Sequence, residues 1–89
     1  MDEKPKSLIE FPTDFPLKII GKTQDGFAQA VAAVVVRHDP SFAVASIEMR
    51  ASKHAKYLSL TCTVKATSQA QLDALYQDLC DHPMVIRVF

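Results

Sequence analysis

The sequence is poor in the residues that build most cofactor and metal sites: two glycines, two cysteines, no tryptophan and three histidines in 89 residues. Cys62 and Cys80 lie far apart, with no CxxC and no second pair, so there is no zinc or cluster ligand set. Each is read as a reduced thiol packed as a small apolar side chain. With only Gly21 and Gly26 there is no glycine-rich phosphate loop and no GxSxG elbow to activate a nucleophile. His38, His54 and His82 show neither HxH nor HxxxH spacing. Two of them, in "RHDP" and "DHP", sit where a positive charge complements a helix C-terminus. No catalytic residue, metal or cofactor is expected. Apolar runs fall short of the ~18 residues of a membrane span, and Met1 to Ser7 has no apolar segment behind its charges, so the chain reads as cytoplasmic and away from membranes. Ten Lys plus Arg balance ten Asp plus Glu, which removes any overall field toward nucleic acid.

What is present is strong periodicity. Residues 1–7 read as a disordered tail and 8–89 as a single domain, which buries only about 60–65% of its unfolded surface. Such a thin core favours a binding site on a face or an interface over a deep cavity. In "SLIEFPTDFPLKIIGK", Leu8, Ile9, Phe11 and Phe15 are expected to fold back on the core, with a first strand beginning after Pro16 and running over Leu17 to Gly21. Phe27, Val31, Val34, Val35 and His38 share one helical face, capped by Thr23 or Asp25 and ended by Asp39-Pro40. Phe42 to Ala51 alternates, predicting a half-buried strand with Ala43, Ala45, Ile47 and Met49 on one face and Val44, Ser46, Glu48 and Arg50 on the other. "YLSLTCTVKA" alternates with Leu58, Leu60, Cys62 and Val64 inward. A second helix starts at a Ser68/Gln71 capping box and presents Leu72, Leu75, Tyr76 and Leu79; "MVIRVF" supplies the last strand.

The order βαββαβ, with right-handed crossovers, predicts an α+β ferredoxin-like sandwich: a four-stranded antiparallel sheet of order 4-1-3-2 with two helices on one face. The other face is open. Lys18, Ile20, Tyr57, Ser59, Thr61, Thr63, Val85, Arg87 and Phe89 are expected there if Ile86 points inward. Charge is locally uneven: Arg50, Lys53, His54, Lys56 and Lys65 occupy the hairpin without an acid, while Asp73, Asp78 and Asp81 mark the second helix without a base. Candidate interaction residues are therefore Arg50, Lys53, Lys56, Tyr57, Ile20, Arg87 and Phe89. The expected partners are an unidentified protein or a second copy on the open face, with a small-molecule effector as a further option. Nucleic acid is disfavoured, because the third strand lacks the aromatic pairs on which RNA-recognition domains stack bases. A nucleic-acid module using the basic hairpin is the alternative reading.

The stretches "EFPTDFPLKIIGK", "VVRHDP", "ASKHAKYLSLTCTVKAT" and "LDALYQDLCDHPMVIRVF" resemble the YbeD-like family of small bacterial proteins of unknown function. The resemblance implies a fold similar to the regulatory domains of amino-acid enzymes, and a genomic neighbourhood with lipoate attachment. It supplies no catalytic residues. The chain departs from the family pattern by lacking Gly after Ser52-Lys53 and by the order Ile86-Arg87.

Overall fold

The computed structural model describes residues 10–89; Leu8, Ile9 and the charged tail lie outside them. Strands β1 (Thr13–Lys22), β2 (Glu48–Ala51), β3 (Tyr57–Ala66) and β4 (Arg87–Val88) and helices α1 (Phe27–His38) and α2 (Gln69–Asp81) follow in the order βαββαβ. The sheet is antiparallel and ordered β2-β3-β1-β4, which is the ferredoxin-like arrangement.

The long β1–β3 ladder organises everything else, pairing Thr13 with Ala66 through to Lys22 with Tyr57. β1 begins three residues before Pro16, not after it as predicted. The reason is directional. Lys18 donates its amide to Phe89 and Ile20 accepts from Ile86, so even-numbered residues of β1 turn their backbone groups toward β4. β4 pairs with Ile19 and Ile20, so among the described residues no strand lies on that side of Pro16 and the missing N–H breaks no ladder bond.

Odd-numbered Leu17 and Ile19 of β1 and even-numbered Leu60, Cys62, Val64 and Ala66 of β3 point beneath the helices and are buried. Phe27, Val31, Val34 and Val35 of α1 and Leu72, Leu75 and Leu79 of α2 close over them, while Phe11 and Phe15 pack against the edge of this core. Burying each such side chain contributes roughly 1.5–3 kcal/mol. At the end of β1, a Cβ on Gly21 would stand 2.4 Å from the Met84 carbonyl oxygen and 2.6 Å from the Phe27 ring, so only glycine lets α1 seat this closely. Burial drives the Cys62 thiol up to about 11, and it is an inert core group.

Several expectations are corrected. α1 is entered through Gly26, at φ 85, without a side-chain cap from Thr23 or Asp25. Ser68 does cap α2 by accepting from the Gln71 amide, but the Gln71 side chain accepts from Thr67 N and reaches across to donate to His38 O, so it joins the two helices rather than closing a box. Tyr76 and Cys80 lie on the exposed side of α2, one turn or less from the buried leucines. The predicted ten-residue second strand is only Glu48–Ala51: Phe42 is buried, Val44–Ser46 form a 3-10 turn, Ala43 and Ala45 are exposed, and Met49 is 57% exposed. In the last segment Val85 packs toward the core and Ile86 is exposed, the reverse of the expectation, because Val85 donates its amide to His82 O in a turn and alternation starts only after it. Val88 is then buried and Phe89 open.

Asp39 explains why β2 can be so short. Even-numbered residues of β2 bond to β3, as Ser52 N does to Tyr57 O, so odd-numbered β3 amides face the β2 side. Beyond Thr61 no described strand meets them, and Asp39 Oδ2 accepts from Lys65 N at 2.9 Å while Oδ1 accepts from Ser41 N and Oγ. Burial pushes the Asp39 carboxyl up, but these three hydrogen bonds outweigh it and the net shift is downward. The buried carboxylate thus substitutes for a missing strand.

Candidate binding face of the sheet

The face without helices is built by strand parity. Ser59 and Thr61 of β3 point away from Leu60 and Cys62, and their partners in β1 and β2 must do the same. Register then sets the order across the sheet. Arg50, Ser59, Ile20 and Arg87 stand side by side, and Glu48, Thr61, Lys18 and Phe89 form the next row. Arg50, Ile20, Tyr57, Arg87 and Phe89, singled out from sequence, are therefore brought together on one surface. Lys53 and Lys56 are not in these rows; they belong to the hairpin end between β2 and β3, where the Lys56 carbonyl is held by Thr23 N.

Two adjoining depressions mark this face. One, of about 330 Å³, is polar: Lys18 and Arg50 flank the hydroxyls of Ser59 and Thr61, with Glu48 and Met49 at its edge. The other, of about 410 Å³, shares Lys18, Arg50 and Ser59 and is walled by Ile20, Tyr57 and Phe89. Toward β4 the apolar wall continues over Ile86, 54% exposed, beside Phe89, 60% exposed. Among the described residues Arg37 pairs with Asp78, which also meets the His38 ring, and no described carboxylate pairs with Lys18, Arg50 or Arg87. Among the described strand residues, Lys18, Lys22, Arg50, Lys65 and Arg87 share the face with only Asp14 and Glu48. Two further contacts tie charge to the aromatic wall: Lys56 Nζ lies 5.7 Å from the Tyr57 ring centre, and the Arg87 guanidinium 5.8 Å from that of Phe89.

Lys18 and Glu48 complete this surface, and their signal was the same alternation that placed Ile20 and Arg50. The polar links on the far side of the molecule had no such signal. His38 Nε2 lies 2.6 Å from Asp78 Oδ2, joining α1 to α2, and His82 Nδ1 accepts from Met84 N. His38 thereby links the two helices, and His82 holds the turn that follows α2. His54, at φ 66, is a turn residue of the hairpin. No group of three or more His, Cys, Asp or Glu that could hold a metal ion occurs among the described residues, and none of their helices is long and apolar enough to cross a membrane.

Fold and face together define a small α+β sandwich of the ferredoxin-like kind with a cationic, partly apolar open sheet. Among solved structures it is similar to the Helicobacter pylori protein HP0495, with TM-score 0.74 at 16% identity, covering 100% of this chain and 98% of that one. It is also similar to the ACT domain of GTP pyrophosphokinase from Chlorobium tepidum, with TM-score 0.66 at 19% identity over 86% of this chain and 97% of that domain. The chain belongs to the family described as Protein of unknown function (DUF493), which matches residues 6–89. Its relatives include UPF0250 proteins of Nitrosomonas europaea and Bordetella pertussis, each 56% identical over 80 residues, or 90% of this chain, and over 92% and 88% of their own lengths. These relatives agree with the resemblance to the YbeD-like family.

Proposed function

We propose that this protein is a non-catalytic regulatory domain that binds a small amphipathic anion, a carboxylate or phosphate ester with an apolar body, on its open sheet face. One observation carries the reading: a polar depression flanked by Lys18 and Arg50 opens directly into an apolar one walled by Ile20, Tyr57 and Phe89. The two volumes fall in the range of about 300–1,000 Å³ common for small-molecule sites. Guanidinium and ammonium groups give charge-assisted hydrogen bonds to an anionic head, with Ser59 and Thr61 hydroxyls supplying neutral donors. The likeness to an ACT domain supports a regulatory fold without supplying ligand residues. The charge of the face opposes stacking two copies on it, because like charges would meet.

A thermal-shift screen of anionic metabolites tests this, with lipoate included because the family resemblance implies that neighbourhood and because it has the right chemistry. A ligand at ~100 times its Kd adds roughly 2.7 kcal/mol of stability. The same ligand should leave the Lys18→Gln/Arg50→Gln/Arg87→Gln variant unshifted. A ligand that stabilises parent and variant equally binds elsewhere and defeats the proposal.

A further inference from the structure

β2 is an edge strand of four residues, all of them exposed. Glu48 and Arg50 turn their backbone groups inward to β3, so Met49 and Ala51 present theirs to the empty side. An open edge of this kind is a template for another strand. Beneath it, on the helix side, Met49, Val44 and Ile47 line an apolar groove with Ala28 and Gln29 of α1. Met49 and Val44 are each more than half exposed.

We infer that this edge pairs with the β2 of a second copy, antiparallel about a two-fold axis, to make one continuous eight-stranded sheet. Charge chooses both the occupant and the register. Outward-facing backbone groups sit on odd-numbered residues, so a two-fold pairing centred within Glu48–Ala51 sets Glu48 opposite Glu48, Arg50 opposite Arg50, Glu48 opposite Arg50, or Ala51 opposite Ala51, which pairs no opposite charges. Only the third is attractive, and it occurs twice in the dimer by symmetry. In that register Met49 faces Met49, and the two exchange a pair of backbone hydrogen bonds. Their side chains meet on the helix side and cover the two apolar grooves. Glu48 and Arg50 also edge the polar depression of the open face, so the sites of the two copies become neighbours across the axis. The pairing stands without the proposed ligand, since it uses the strand edge and not the apolar wall.

Sedimentation velocity of the whole chain from about 10 µM to about 1 mM tests the pairing, because an interface built on so short a strand is expected at the weak end of the range. The parent should pass from monomer to dimer. Glu48→Arg and Arg50→Glu should each raise the dissociation constant at least about tenfold, since each sets like charges opposite one another. Mixed together, those two variants should associate with each other, because both opposing pairs are then attractive. Met49→Pro removes only an outward N–H and should abolish pairing while far-UV circular dichroism and the unfolding midpoint show an intact fold. A parent that stays monomeric throughout, single variants that dimerise like the parent, or a mixture that does not associate would each overturn the inference. Ligand-induced stabilisation can be scored separately in the Met49→Pro monomer, so failure of one proposal is distinguishable from failure of the other.

Discussion

The two faces of the sheet differ in what their alternation accomplishes. On the covered face, Leu17 and Ile19 meet Leu60, Cys62 and Val64 under two helices, and nearly every side chain is buried. On the open face the same two strands supply an exposed Lys18 and a half-buried Ile20 beside half-buried Ser59 and Thr61, mixed in character. One face is specified by volume and the other by charge and hydroxyl placement. Stability therefore resides mainly on one side of β1 and β3.

The sharpest way to break this comparison is to cut into the covered side. Leu60→Ala and Leu75→Ala should each cost about 2–5 kcal/mol in urea unfolding, because both side chains are fully buried. A cost below ~1 kcal/mol at both would mean that the packed face is misassigned. Gly21→Ala should follow, at about 1–3 kcal/mol, since its methyl must displace either the Met84 carbonyl or the Phe27 ring. A neutral Gly21→Ala would show that α1 can retreat freely.

Asp39→Asn tests the capped edge of β3. The amide can accept on one side only and must present a donor to another donor, which costs roughly 1–3 kcal/mol. The native carboxyl is held below its ordinary value, so its contribution is full above that value and fades as pH falls through the lowered one. The parent should accordingly lose stability on acidification below about pH 4 more steeply than Asp39→Asn does. Parallel pH profiles would rule out that role. Ala55, at φ 55, lies in the left-handed region of the turn between β2 and β3. Ala55→Gly should stabilise by about 0.5–1 kcal/mol, read as a raised unfolding midpoint. Smallest of all should be Lys18→Gln, Arg50→Gln and Arg87→Gln together, within about ±0.5 kcal/mol of the parent, because all three are exposed.

Most of the covered face was legible in the sequence, because burial under two helices enforces the periodicity that the residues display. Topology followed from element order and handedness. The region around Phe42 to Ala51 was not, because its alternation also fits a loop: Phe42 is anchored by burial, and Asp39 satisfies the β3 edge that a longer strand would have occupied. Pro16 misled for a related reason, since its tolerance depends on where β4 stops and not on β1 itself. On the open face, parity placed Ile20, Tyr57, Arg87 and Phe89 together, Arg50, read with the hairpin, joins them by pairing with Ser59, and the turn before Ile86 moves Val85 inward. The long-range polar links of His38, Asp39 and Gln71 leave no periodic trace, because each joins residues far apart in the chain.

The account rests on the open face being an anion-directed site with an apolar wall. Its most direct test is a ¹⁵N–¹H NMR titration with phenylbutyrate, matched against its uncharged analogue phenylbutanamide. The account predicts that the carboxylate moves the amide signals of Lys18, Ile20, Ser59 and Thr61, that the amide analogue does so far more weakly, and that replacing Lys18, Arg50 and Arg87 by glutamine removes the response. Shifts confined to the helices, or equal responses to the acid and its amide, would contradict it.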